Sequence, residues 1–197
     1  MHIPDGYLVL RICIIFYILS GIFILIAIRK IRLHEESIPL YISMVAIIFA
    51  AQMLDWPIPG GTTAHFTGGA LAGIILGSWG GTLVMTIVLA IQAIIFGDGG
   101  VLTLGANIWN MGVIAPFTGY TLYTLFRRYG YTASIAGAFI GGWLSSIIAS
   151  LFAGLQLGLS TIFLYPITVT IPVMILYHLG FGFDRWCGLW RSCSLHA

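Results

Sequence analysis

The sequence predicts an all-α fold: a polytopic membrane protein of seven transmembrane helices, with its N-terminus outside and its C-terminus cytoplasmic. Three observations predict it. The 197 residues are 59% hydrophobic and only 7% charged, with mean hydropathy +1.04. Soluble domains carry roughly 25% charged residues, so these charges cannot cover a water-facing surface of this size. Apolar runs at or near the ~20 residues of a spanning helix recur along the whole chain. Basic residues gather in three clusters, each behind an odd-numbered run.

The runs are 8–28, 38–54, 66–79, 82–96, 105–126, 132–157 and 160–180. The first reads as a retained helix. It is too long for a cleavable signal peptide, its front end is acidic, and no small-x-small site closes it. Arg11 lies one turn in and can snorkel to the interface. In the second, Ala46 and Ala50 stand four apart, a spacing that lets another helix approach closely in lipid. This stripe is where we expect an external membrane partner. Gly69, Gly73 and Gly77 repeat that spacing in the third, as do Ala133, Gly137 and Gly141 in the sixth, where internal packing explains them.

The third and fourth runs are separated at "GSWGG" (77–81), because Gly77, Gly80 and Gly81 favour a turn. Charge supports the split. Arg29, Lys30 and Arg32 follow the first run, Arg127 and Arg128 the fifth, Arg185 and Arg191 the seventh. Seven spans with an outside N-terminus put all three clusters in the cytoplasm, as the positive-inside rule asks. Merging the third and fourth would put the last two outside. Residues 1–184 form one integral membrane domain, and 185–197 a cytoplasmic tail. His178, in the last run, is expected to be a packing residue. Cys13, Cys187 and Cys193 lack metal-site or disulfide spacing.

This topology gathers Met1–Gly6, "DWPIPGGTTAHF" (55–66), "GDGGVLT" (97–103) and the turn near 158–161 on the outer face. His2, His65, Asp5, Asp55 and Asp98 go with them. Gln52, Gln92, Asn107, Asn110 and Gln156 lie near the outer ends of their runs. Such amides either bond across helices or hold loops around an outer site. Asn107 and Asn110, about two turns past the Gly-Asp-Gly-Gly loop, are candidates for the second role.

The chain begins "MHIPDGYL". The Met1 α-amine, the His2 amide nitrogen and His2 Nδ1 lie in one short arc, and together they close a five- and a six-membered chelate ring. Metals that favour tetragonal nitrogen fields can drive off the amide proton. The amine is easily freed, its ordinary pKa being ~7.7–8.0. One more nitrogen completes a square plane, and His65, behind two prolines and two glycines, is the candidate. Square-planar nitrogen points to nickel or copper, with cobalt possible on a change of geometry. The competing reading is a chance histidine on a disordered chain end. A tag or formyl group on the amine is expected to destroy the site.

"MHIPDGYL", "PIPGGTTAHFTGG" and "IQAIIFGDGGVLTLGANIWNMG" together resemble the CbiM/NikM family, the substrate-binding S components of energy-coupling-factor (ECF) importers for nickel and cobalt. The likeness extends from Met1 to about Leu157. It implies an extra N-terminal helix ahead of six others, and a chain start folded back to bind metal in a near-planar nitrogen set. The implied ligands are Met1, His2 and His65, with Asp5, Asp98 and Asn107 as loop-ordering candidates. The implied partners are a transmembrane coupling protein (T component) and two ATPase subunits, with a small accessory membrane subunit possible. No nucleic acid is expected. The implied setting is the inner (plasma) membrane of a prokaryote. No permanent cofactor is expected; nickel or cobalt is cargo. The tail "RWCGLWRSCSLHA" matches nothing in the family pattern.

The residues also bear on other functions. The only lysine is Lys30, so no G-x-x-x-x-G-K-[ST] phosphate loop exists, and ATP hydrolysis of that kind must come from partners. "HEESI" (34–38) puts Ile38 where a zinc protease motif needs its second histidine, so an enzyme of that type is excluded. An independent divalent-metal channel or secondary carrier usually leaves ionisable residues along its path. The middles of these spans are nearly free of them.

Overall fold

In the computed structural model the described residues are 2–32, 34–53, 56–58, 62–64 and 66–194; side chains are described to residue 180, apart from those of the short hairpin at 56–58 and 62–64. The architecture is helical. Helix α1 is Leu10–Lys30 and α2 is Ile38–Gln52, entered through a 3-10 turn at Glu35–Ser37. Strands β1 (Trp56–Ile58) and β2 (Thr62–Ala64) pair antiparallel, Trp56 opposite Ala64. Helix α3 is Gly69–Ile91, continued by a wider π turn at Gln92–Phe96. Next come α4 (Leu104–Asn107), a π segment (Ile108–Ile114) and α5 (Ala115–Arg127), which together make one rod. Helices α6 (Tyr131–Gly158) and α7 (Ile167–Ser194) complete the bundle.

Leu10–Lys30, Gly69–Phe96 and Tyr131–Gly158 are long and apolar enough to cross a membrane. The second of these doubles back. Gly77 has φ 77°, ψ 163°, outside any helix. A Cβ built on Gly81 would lie 2.7 Å from the Gly73 nitrogen. Eight residues of straight helix would separate them by roughly 12 Å, so the arms before and after Gly77 face each other. The break falls inside "GSWGG", as the glycines predict. The arm at 69–76 is roughly 12 Å long, well short of the ~30 Å bilayer core. It is a half-length arm where the sequence predicts a span over 66–79. The described residues between 53 and 68 are not helical.

Pro116 is the wedge between the arms. A Cβ on Gly73 would lie 2.8 Å from Pro116 Cα, and one on Gly81 would lie 2.8 Å from Pro116 Cβ. Proline cannot donate to the helix ladder and its ring crowds the carbonyl four residues back. The rod answers by widening, and Ala115 N–H bonds Asn110 O, five residues back. Gly77 sits in a backbone region essentially reserved for glycine. Gly77→Ala is expected to lower stability by about 1–3 kcal/mol, read as a lower melting temperature in detergent, although no atom stands within 4 Å of the added methyl.

Helix α1 buries a narrow stripe, Cys13, Ser20 and Ala27, one residue every two turns. Ser20 Oγ donates to Gly105 O at 2.7 Å, and a Cβ on Gly105 would meet the α1 backbone at Tyr17. The rest of α1 shows Leu10, Ile14, Ile15, Ile18, Ile22, Leu25 and Ile28 to the outside, as a lipid-facing helix does. Met44, Ile48, Met85, Val88, Leu89, Ile108 and Met111 form the main buried cluster between α2, α3 and the rod. A second cluster joins Ile3, Leu8 and Cys13 to Ala106, Ala153 and Leu157.

The two ends of the bundle differ in charge. At one end Lys30 Nζ lies 4.8 Å from the Trp79 ring centroid, which places the basic cluster behind α1 beside the Gly77 turn. At the other, the first residues meet the loops after α3 and α6.

Candidate metal centre

Residues 3–9 form a strap across that second end. Ile3 is its anchor, 3% exposed, and every polar group of its backbone is engaged. Ile3 N–H donates to Asn107 Oδ1 at 2.9 Å, and Asn107 Nδ2 donates to Ile3 O at 3.1 Å. Gly100 N–H and the Thr103 hydroxyl donate to the same carbonyl. Further along, Tyr7 O accepts from the Ser160 hydroxyl at 2.8 Å, and Val9 N–H donates to Ser160 Oγ at 3.1 Å. The strap is therefore latched at three places, Asn107, the loop at 100–103 and Ser160.

Asp5 supplies the electrostatic part of the latch. Its carboxylate accepts N–H bonds from Val101 (3.1 Å), Leu102 (2.8 Å) and Thr103 (3.3 Å). These donors lie in the loop that leads into the rod, the last of them at its N-cap residue, Thr103. A carboxylate is the best group to meet them, because the helix dipole is positive there. Asp5 thus bonds three consecutive N–H groups of the loop at 101–103, from 96 residues away in sequence.

The "GDGG" loop brings the second element. Gly97 closes the preceding helix in the left-handed region, φ 66°. Asp98 Oδ1 lies 2.8 Å from His2 Nδ1. The hydrogen bond from His2 is the main cause holding the Asp98 carboxyl below the usual carboxylate range; partial burial opposes it. Gly99 has φ 89°, and a Cβ there would crowd both Asn107 Nδ2 (3.2 Å) and His2 Cβ (3.4 Å). A Cβ on Gly100 would overlap the Asp5 carboxylate. Gly99 and Gly100 are thus held small by contacts to the first residues, whereas Gly97 is required only by its left-handed backbone. The His2 ring is 6% exposed, so it is largely shielded from bulk water.

The structure thus brings His2, Asp5, Asp98 and Asn107 together. Asn110 does not join them. Its amide is spent on Gln156, Nδ2 to Oε1 at 2.8 Å and the reverse bond at 3.0 Å, so it ties the rod to α6. Met1 and His65 lie outside the described residues. Gln52, at the end of α2, donates to Thr67 O at 2.7 Å, two residues past His65. Phe49 and Phe96 stack with centroids 5.1 Å apart, which places the ends of α2 and α3 at the strap end of the bundle. Ala46 and Ala50 are exposed on α2. His178 Nδ1 sits 2.8 Å from Met174 O in the last helix, in keeping with a packing role.

Sequence reasoning missed Thr103 and Ser160. Both are ordinary hydroxyls in sequence, and only the fold shows that each meets the strap backbone. Among the described residues no three His, Cys, Asp or Glu side chains gather as a metal cluster. An Nδ1 that holds a proton toward Asp98 has no lone pair for an ion, so coordination through that atom displaces Asp98.

Residues 2–183 match the family model CbiM, described as a cobalt uptake substrate-specific transmembrane region. The putative fused nickel transport protein NikMN of Archaeoglobus fulgidus is 50% identical over 182 residues, covering 92% of this chain and 60% of that protein. This chain therefore spans less than two thirds of that relative's length. A putative metal transport protein of Haloquadratum walsbyi is 44% identical over 184 residues, covering 92% of this chain and 83% of the relative. The crystal structure of a truncated transition metal transporter superposes with TM-score 0.85 at 32% identity, covering 100% of both chains.

Proposed function

This chain belongs to the CbiM family of cobalt-uptake transmembrane proteins, and from that premise we propose that it is the membrane-embedded substrate-capture (S) component of an ATP-driven nickel or cobalt importer. Seven helical segments make up the part embedded in the inner membrane of a prokaryote; the third, the half-length arm at 69–76, enters the membrane without spanning it as a helix. The strap end faces outward and the basic clusters face the cytoplasm. The ligands are the Met1 α-amine, the His2 amide nitrogen and Nδ1, and the His65 imidazole.

The observation that carries this reading is the burial of Ile3 under the Asn107 latch. A chain start with no task gains nothing from ordering its first residues, which costs roughly 1–2 kcal/mol per residue in backbone entropy. Here four groups converge on one residue's backbone and fix its neighbour, His2, against the Gly-Asp-Gly-Gly loop. Asp98 holds the imidazole ready, and the ion takes its place.

Capture alone moves nothing. Among this chain's residues there is no phosphate loop of the Walker type, so the energy comes from two ATPase subunits through a transmembrane coupling protein. The exposed Ala46/Ala50 stripe of α2 is the surface offered to that protein. The second reading, an independent channel or carrier, predicts uptake without ATPases.

Ion uptake into cells or vesicles decides between them. We expect nickel or cobalt accumulation only when the coupling protein and ATPases are present, and its loss in His2→Ala. Accumulation by this chain alone would refute the capture role.

A further inference from the structure

We propose that Gln92 positions the ion site: its buried side-chain carboxamide accepts the ring N–H of His2 when the other nitrogen of that imidazole holds the metal. This rests on the reading of His2 as a ligand.

Gln92 is fully buried, and neither Oε1 nor Nε2 has a hydrogen-bond partner. Buried polar side chains nearly always have one, and a native exception asks for a cause. The other amides at this end are committed. Asn107 holds Ile3, and Asn110 and Gln156 hold each other. Gln92 lies one turn beyond Val88 and Leu89, which line the main cluster with Ile108 and Met111. Its side chain therefore continues the face of α3 that meets the rod. Its backbone belongs to the same unit, since Gln92 O accepts N–H bonds from Gly97 and, at 3.0 Å, from Asp98. Asp98 in turn contacts His2.

Coordination chemistry supplies the cause. An imidazole that gives one nitrogen to a metal keeps its proton on the other, and that N–H almost always meets an oxygen acceptor, which fixes the ring and raises its basicity. Once Nδ1 turns from Asp98 to the ion, the proton sits on Nε2. Among the described residues, only two buried side-chain oxygens stand without a hydrogen bond, Gln52 Oε1 and Gln92 Oε1. Gln52 is fastened by its Nε2 to Thr67 O, on the opposite arm. Gln92 is the acceptor whose own backbone carries Asp98, the residue that contacts His2.

The test uses nickel titration of full-length protein with an unblocked amine, comparing wild type, Gln92→Met, Gln92→Glu and His2→Ala. Methionine keeps the length but offers no comparable acceptor. Gln92→Met is expected to bind nickel about 10- to 100-fold more weakly, with a shifted nickel absorption band. Its ion-free melting temperature should be no lower than wild type, because an unpaired buried amide has been removed. Gln92→Glu keeps an oxygen acceptor and should restore most of the affinity. Wild-type affinity in Gln92→Met overturns the inference, as does equal loss in both variants with a lower melting temperature. If Gln92→Met does not fold, Gln92→Glu decides alone: affinity retained supports the role and affinity lost overturns it. Nickel binding unchanged in His2→Ala instead removes the ligand reading itself, a failure separate from any result at Gln92.

Discussion

Acetylating the Met1 α-amine should weaken nickel binding by more than about 100-fold while leaving the helical bundle's melting temperature unchanged. Loss of an outer partner of a metal ligand already costs about 10- to 100-fold, and acetylation removes a ligand itself along with the five-membered chelate ring. The amine is selectively reachable near neutral pH, because its ordinary pKa of ~7.7–8.0 lies well below the ~10.4 of a lysine, and Lys30 is the chain's only lysine. The strap is held from Ile3 onward by hydrogen bonds that do not use that amine. Isothermal titration on acetylated and untreated protein measures the effect. A single added residue is a poorer control. It would create an Xaa-Met-His start whose own amine, two amides and imidazole complete a four-nitrogen plane.

Asn107→Leu is the second large expected effect. It strips the acceptor from Ile3 N–H and leaves that buried donor unpaired, at about 1–3 kcal/mol. Ile3 O keeps Gly100 N–H and the Thr103 hydroxyl, so the strap is loosened and not released. If the whole penalty falls on the closed strap, ion affinity drops about 5- to 150-fold, at 1.4 kcal/mol per tenfold. Asn110→Leu provides the contrast. It orphans Gln156 between two helices, so it should lower the melting temperature with little change in affinity. Paired titrations and melts of the two variants separate latch from glue. Similar affinity loss in both would remove the special role given to Asn107.

The division between what sequence shows and what it hides follows from range. Helix positions follow from hydrophobic runs, a local property, and Gly77 announces its turn because no other residue takes that backbone shape cheaply. The grouping of 1–6, 97–103 and 158–161 at one end follows from counting reversals between basic clusters. In the structure those segments meet through Asp5, Ile3 and Ser160. The π segment at 108–114 is illegible, because its cause is a conflict at Pro116 that a helix can resolve by kinking, breaking or widening. Asn107 and Asn110 look equivalent in sequence, three residues apart on one helix. Their separate fates depend on facing Ile3 or Gln156, partners 104 and 46 residues away. The shortness of the arm at 69–76 is hidden for a related reason. Its apolar composition continues through a stretch where the backbone is not helical.

Nickel K-edge X-ray absorption on full-length protein with an unblocked amine tests the central claim most directly. The account predicts four nitrogen neighbours in a square plane, with an imidazole scattering signature that halves in His65→Ala if any metal is retained. A six-coordinate, oxygen-dominated shell, or a spectrum indifferent to acetylation of the first residue, would contradict it.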